Sequence, residues 1–371
     1  MVFELDTSGH YTVLHNFMGS DGAFPYYDLG VIRDPAGNLY GTTNGGGAGS
    51  FGVVYKLDAA GNYAVLHNFA GALTGASPSS GVIRDATGNL YGTAYFGGLI
   101  GAGVVYELSA AGKYAVLYSF TGGADGSGPS SGVIRDAAGN LYGTTLYGGA
   151  ANAGVVYKLD PSGQQTVLYS FTGGADGRSP SSGVIRDDAG NLYGTTWYGG
   201  TANAGVLYKL DTAGHETVLH NFTCGRDGCN TAASSTAISL MHDSAGNLYG
   251  TTCCGGAYHA GVLYKLNATD KYTVLHSFTG GGDGGDPDGG LALGSGGDLY
   301  GATAQGGTGN AGVVYKLGAT GHYSVLYSFT GAGDGGDPQA GVILTPDGNL
   351  FGTTFGGGKL GSGVVFMLTA R

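Results

Sequence analysis

Four cysteines, Cys224, Cys229, Cys253 and Cys254, fall in one stretch of a chain that has no others. Thiols gathered this way can make one or two disulfides, which persist in oxidising compartments. The alternative is a four-thiolate zinc site, which the adjacent Cys253 and Cys254 fit poorly, because zinc knuckles space their thiolates as CxxC. The same stretch carries Arg226, Asp227 and His259. A histidine base, an orienting carboxylate and a charge-stabilising guanidinium are the parts of a lyase or hydrolase acting on acidic polysaccharide, so these three are the catalytic candidates. The competing reading is a drifted unit stapled by disulfides. Asp283, Asp286 and Asp288, in GGDGGDPDG, are the metal candidates. Carboxylates with loop carbonyls suit Ca²⁺, although the spacing is not that of an EF-hand. Trp197, Tyr198, Tyr147, Tyr95 and Phe355 are the ligand-binding candidates, since flat amphipathic rings stack on sugars as readily as they pack against neighbours.

These residues recur at fixed places in a repeat, and a repeat must be recognised before any local reading is made. Tyr40, Tyr91, Tyr142, Tyr193, Tyr249, Tyr300 and Phe351 mark GNLYG-like segments at intervals of 51 residues, except for 56 between Tyr193 and Tyr249. Each unit reads as four short strands rich in Val, Leu, Tyr and Thr and bounded by Gly, Asp or Asn. In the unit from Gly183 to Phe222 they are A, 183–187; B, 191–196; C, 206–210; and D, 217–222. The A–B and C–D connections are tight, whereas B–C and D–A are long and Gly-rich. In an up-and-down meander all the long loops therefore emerge on one face. Four-stranded units of about 40–50 residues are the cue for a β-propeller. The expected fold is all-β: one domain over 1–371, a seven-bladed propeller of antiparallel blades.

The ends are expected to close the ring. The chain opens with a C-like segment at 1–5 and a strand D at 12–17, and it finishes on A, B and C. Residues 1–17 thus complete the blade of 341–368 and remove the exposed edges. One strand more than seven blades need is left at 1–5, which offers self-association through a heterologous contact.

Three repeated positions read as scaffold. The Asp-Gly pairs at Asp21, Asp125, Asp176, Asp227, Asp283 and Asp334 supply turn chemistry. His15, His67, Tyr118, Tyr169, His220, His276 and Tyr327 share one place on strand D, where interchange of His with Tyr means packing plus a hydrogen bond. Arg33, Arg84, Arg135 and Arg186, at the short-turn end of strand A, are expected to partner the Asp that follows each.

The net charge of −11 argues against a nucleic-acid partner, which needs clustered cations. No run approaches the ~18 apolar residues of a membrane span. Met1 opens inside a strand with no leader ahead of it, and the cysteines weigh toward export.

The combination GNLYGTT, YGG, GVVYKL and GxxxVLYSFTGGADGxxP resembles the GloVer-type tandem repeat of bacterial, mainly exported, proteins. The resemblance covers essentially the whole chain, with its best matches at Gly81–Phe222 and Asn310–Phe355. It implies a secreted or surface module, often followed by a C-terminal sorting signal, which does not follow Arg371. It brings no catalytic residues. The expectation is a secreted, non-catalytic ligand-binding protein, carbohydrate being the ligand, with no required cofactor and Ca²⁺ as an option. The alternatives are a polysaccharide lyase or hydrolase centred on the fifth unit, and a structural or adhesive protein.

Overall fold

A computed structural model of the protein describes residues 11–25, 30–180, 182–229 and 240–369. The extra segment at 1–5 and the insertion that lengthens the fifth unit, within 230–239, lie outside the described residues. The rest forms seven antiparallel sheets. Blade four shows the unit: strand A is Ile185–Arg186, B is Leu192–Tyr198, C is Val206–Leu210 and D is Glu216–Asn221. Strand A is only two residues long in most blades, shorter than its GVIRD motif. Near the ring centre the backbones approach too closely for longer pairing, and a Cβ on Gly341 would meet Gly290 backbone atoms at 2.4 Å. Blades two and four gain a short extra strand from the D–A loop, Ala76–Pro78 and Arg178–Pro180, which extends strand B.

The ring closes as its ends require. Thr12–Asn16 pairs with Val364–Thr369, which pairs with Asn349–Thr354, which in turn pairs with Ile343–Leu344. Blade seven is thus made from both ends of the chain, and among the described residues each of the seven sheets has its outer strand.

Most of the core lies between blades. The Phe that follows each strand D is buried and meets the strand-C ring of the next blade edge-on. Phe120 lies 5.2 Å from Tyr157 and Phe171 lies 5.1 Å from Tyr208; at the closing seam Phe17 lies 5.3 Å from Tyr55. Edge-on aromatic pairs contribute about 0.5–1.5 kcal/mol each beyond the area they bury, so the repeat stabilises every seam in the same way. Threonines of strand B tie adjacent blades at the inner end: Thr93 Oγ1 donates to the Ser131 carbonyl at 2.8 Å and Thr144 Oγ1 to that of Ser182 at 3.0 Å.

The GNLYG motif locks the short A–B turn. In blade one Asp34 accepts from the Ala36 and Asn38 amides at 3.0 and 2.9 Å, from Asn38 Nδ2 at 2.8 Å and from the Tyr40 hydroxyl at 3.1 Å. Asn and Tyr of the motif are thus the side-chain partners of the turn aspartate, and the arginine before it reaches at most the backbone, Arg84 Nη1 donating to the Asp85 carbonyl at 3.4 Å. The arginines have a second role: Arg33, Arg84 and Arg135 lie over the Phe351, Tyr40 and Tyr91 rings of the preceding blade, 5.6 to 6.0 Å from their centres. Burial would raise the Asp85 carboxyl, but hydrogen bonds from Thr87, Asn89 and Tyr91 outweigh it and hold it at about 2.

Candidate functional site

The D–A loops fold through two successive devices. First comes a clasp. The Asp of each Asp-Gly pair accepts from the His or Tyr of strand D and from the residue that follows the strand's Phe, a Thr everywhere except at Asp21, where the Met18 amide donates. Tyr169 donates to Asp176 Oδ2 at 3.0 Å, and the Thr172 amide and hydroxyl add 2.7 and 2.5 Å bonds. His15, His220 and His276 bond Asp21, Asp227 and Asp283 at 2.9, 3.2 and 3.1 Å. The loop after blade one lacks the aspartate, Thr74 standing in its place. There His67 Nε2 is buried with no partner, and burial lowers the ring's pKa.

The clasp settles where several candidate residues go. Asp227 is held by His220 and Thr223, while Arg226 and His259 are exposed. Among the described residues, no hydrogen bond or ion pair joins either of them to Asp227. Asp283 is likewise committed to His276 and Thr279, so it separates from Asp286 and Asp288. Among the described residues no group of three or more His, Cys, Asp or Glu is arranged to hold a metal ion. Cys224 and Cys229 are joined in a disulfide, which removes two of the four thiolates the zinc reading needs. Cys253 and Cys254 lie beside each other as thiols, Sγ to Sγ 3.3 Å.

The second device is the turn before the loop proline. Its preceding residue is left-handed in every described case: Phe24, Ser77, Gly128, Ser179, Asp286 and Asp337 have φ of 55, 53, 63, 55, 55 and 57°. Non-glycine residues seldom adopt this region, and such positions gather at functional sites. The amide of this residue bonds the previous blade: Asp286 to the Ala260 carbonyl and Asp337 to that of Ala311, at 2.9 and 2.8 Å. Its carbonyl accepts from the residue just past strand B, Ala304 or Phe355, at 2.9 Å. A fixed backbone frame therefore presents one variable side chain per seam on the long-loop face, next to the B–C aromatics.

That face is asymmetric. Phe24 packs 5.2 Å from Phe355 at the closing seam. Tyr95 covers Gly128, whose Cβ position is 3.2 Å from the Tyr95 ring, and burial together with Tyr147 pushes its hydroxyl up to about 12. Tyr147 is exposed, and Tyr198 lies 5.0 Å below the Arg178 guanidinium. Trp197 Nε1 is buried without a hydrogen-bond partner. Tyr95 and Phe355 thus wedge against the adjacent seam, while Tyr147 keeps an open ring.

On the same face, blades six and seven line an open cavity of about 450 Å³ whose polar lining includes Asp286, Asp288, Gln305, Asn310, Asp337 and Gln339. Gln305 Nε2 donates to Asp286 Oδ2 at 3.1 Å and Gln339 Nε2 to Asp337 Oδ2 at 2.9 Å. Asp286 Oδ1 and Gln339 Oε1 are buried and find no partner. Buried polar atoms are normally bonded, so these two mark where a ligand or solvent group fits. Burial raises the Asp286 carboxyl; burial and then the Asp286 charge raise Asp337. Asp286 is also hydrogen-bonded by the Asp288 side chain, so the carboxyls and carboxamides together form a set of acceptors and donors suited to hydroxyls.

Of this set, Asp337, Gln305 and Gln339 had not been singled out from the sequence. The signal was positional: around the loop proline, blades two to four carry Ser or Gly where blades six and seven carry Asp286, Asp288, Asp337 and Gln339.

The model of the Gloeobacter/Verrucomicrobia repeat matches residues 32–239 and 230–371. The chain belongs to this repeat family. No curated protein matches it. Among solved structures, the Gloeobacter/Verrucomicrobia repeat protein is similar to virginiamycin B lyase from Staphylococcus aureus, with a TM-score of 0.61 and 11% identity, covering 98% of this chain and 99% of that one. It is also similar to an extracellular domain assigned to a hybrid two component system of B. thetaiotaomicron, with a TM-score of 0.60 and 13% identity over 96% of this chain and 39% of that one. A third is puromycin hydrolase, with a TM-score of 0.52 and 13% identity over 89% of this chain and 50% of that one. At these identities the likeness establishes the propeller and not a shared chemistry. Among the described residues no helix is long and apolar enough to cross a membrane.

Proposed function

We propose that this repeat protein is an extracellular ligand-binding propeller that takes carbohydrate on its long-loop face, at the cavity between blades six and seven. The observation that carries this reading is the pair of buried, unbonded acceptors, Asp286 Oδ1 and Gln339 Oε1, in a cavity whose other polar lining is carboxylate and carboxamide. Such groups pair with vicinal hydroxyls, and a site built to bond hydroxyls discriminates strongly against ligands that lack them. Tyr147 and Tyr198 supply flat surface farther round the same face. The disulfide Cys224–Cys229 supports an oxidising compartment. Titration of a glycan array tests the reading, with Gln339→Ala and Asp337→Asn as variants. Binding weakened about tenfold by Gln339→Ala is expected, from the loss of about 1.5 kcal/mol in hydrogen bonding; no glycan bound at millimolar concentration would sink the proposal.

A second reading rests on two carboxyls, Asp286 and Asp337, lining one cavity. A pair of carboxyls facing the same ligand is the working arrangement of glycoside hydrolysis. In that case Asp337→Asn leaves binding nearly intact but removes turnover by 10²-fold or more, whereas the lectin reading predicts no turnover in either form.

A further inference from the structure

Cys253 and Cys254 directly follow strand B of blade five, Leu248–Thr252, at the two positions where blades two and four carry Tyr95-Phe96 and Trp197-Tyr198. Their Sγ atoms are 3.3 Å apart, and both thiols donate to one acceptor, the Cys229 carbonyl, at 3.4 and 3.3 Å. That acceptor is itself held in place twice over. Cys229 is bridged to Cys224, and its backbone pairs with Cys254. A single carbonyl thus gathers two sulfurs to a separation that rotation about the side chains alone would seldom keep. Tetrahedral zinc, with Zn–S near 2.3 Å, would hold its thiolates roughly 3.8 Å apart, so the spacing favours sulfur meeting sulfur over sulfur meeting metal.

We propose that Cys253 and Cys254 form a thiol–disulfide exchange site, closing into a disulfide between adjacent residues when the protein meets a disulfide oxidant, RS–SR. Cys254 is the more exposed of the two, Cys253 being 3% exposed, and it reacts first. Its thiol loses a proton to solvent, and the thiolate attacks one oxidant sulfur. The RS–SR bond breaks, one RS⁻ leaves and takes up a proton, and Cys254 carries the mixed disulfide. Cys253 then loses its proton and attacks the Cys254 sulfur, displacing the second RS⁻, which is protonated in turn. Two protein S–H bonds and one RS–SR become one protein S–S bond and two RSH, and two electrons pass to the oxidant. The second step is intramolecular and gains from proximity. Closure removes both S–H donors from the Cys229 carbonyl. It also leaves a rigid apolar pair of sulfurs on the long-loop face, where blades two and four place aromatic rings.

The test uses the full chain exposed to oxidised glutathione, quenched with acid, alkylated with iodoacetamide and cut with chymotrypsin. Cleavage after Tyr249 and Tyr258 isolates both cysteines in the peptide 250–258. The expected wild-type peptide is lighter by two hydrogen atoms and carries no alkyl group. Cys253→Ser, which lacks the resolving sulfur, is expected to retain glutathione on Cys254. A wild-type peptide that stays doubly alkylated, that keeps glutathione, or that is linked to Cys224, Cys229 or a second chain would overturn the proposal. Since the decisive reading is on the wild-type peptide, the test stands even if the variant folds poorly.

Discussion

Replacing Glu216 by Gln should remove a pH dependence that the repeat created by drifting at one seam. At the first position of strand D, the side chain donates to a backbone carbonyl of the preceding D–A loop. Tyr63, Tyr272 and Tyr323 reach the Asp21, Asp227 and Asp283 carbonyls at 2.6, 2.6 and 2.5 Å. Tyr114 and Tyr11 reach those of Thr74 and Asp334, and Gln165 Nε2 reaches that of Asp125 at 3.2 Å. Glu216 occupies the remaining seam, where only the protonated acid can donate. Its Oε1 is buried without a partner, and burial together with the Asp176 charge pushes the carboxyl from 4.5 up to about 7. The folded state therefore holds the proton to higher pH than the unfolded chain does. Stability is fully present below about pH 4.5 and is lost as the pH rises through about 7. The full interval corresponds to at most about 3.4 kcal/mol at 1.36 kcal/mol per pH unit. The carboxyl is half exposed, and solvent screening reduces this to roughly 1–2 kcal/mol. Gln donates at every pH, as Gln165 does. Urea unfolding of wild type and Glu216→Gln at a series of pH values reads the difference directly, because all other titrations cancel. The expected gap is near zero at roughly pH 4.5 and opens to about 1–2 kcal/mol in favour of Gln at roughly pH 8. A gap constant across that range would refute the reasoning.

Three further outcomes follow from the repeat geometry. The hydroxyl of Tyr157, fully buried and unbonded, has a natural counterpart without it in Phe366; Tyr157→Phe should leave the melting temperature unchanged or raise stability by about 1 kcal/mol, and a loss above that would reveal a hidden partner. Gly143→Ala should destabilise by more than about 3 kcal/mol, because its Cβ would lie 2.5 Å from the Tyr157 hydroxyl inside a packed seam; equilibrium unfolding checks this. Restoring the missing clasp with Ala70→Thr and Thr74→Asp should give His67 Nε2 a partner, raise the His67 pKa as followed by NMR titration, and add about 1 kcal/mol of stability at neutral pH.

How much of this was legible in the sequence differs by level. The strands, the blade count and the closing role of Thr12–Asn16 follow from periodicity, because the same apolar and turn residues return at a near-constant spacing. The scaffold role of the strand-D His and Tyr was also readable from their interchange, although their partner, the loop aspartate, was not: Tyr169 and Asp176 lie seven residues apart across a turn whose path only folding defines. The arginines of strand A were only half legible: local spacing points to the adjacent Asp, whose carbonyl Arg84 does reach, while the ring under each guanidinium belongs to another blade.

The candidate site shows the same division. Asp283, Asp286 and Asp288 look like one acidic cluster in the chain, yet the clasp takes Asp283 and turns the other two into a cavity with Asp337, some fifty residues away. Arg226, Asp227 and His259 look like a constellation, yet the clasp takes Asp227 while the other two stay exposed.

By itself the sequence determined the ring: seven near-identical units, alternating short and long connections, and a core repeated at every seam. Those are properties of local pattern, which each unit carries in full. Only the tertiary structure decided which variable side chains face one another, because that depends on a left-handed turn before each loop proline and on contacts between blades. The cavity at Asp286 and Asp337 and the paired thiols at Cys253 and Cys254 exist because separate loops are brought to one face.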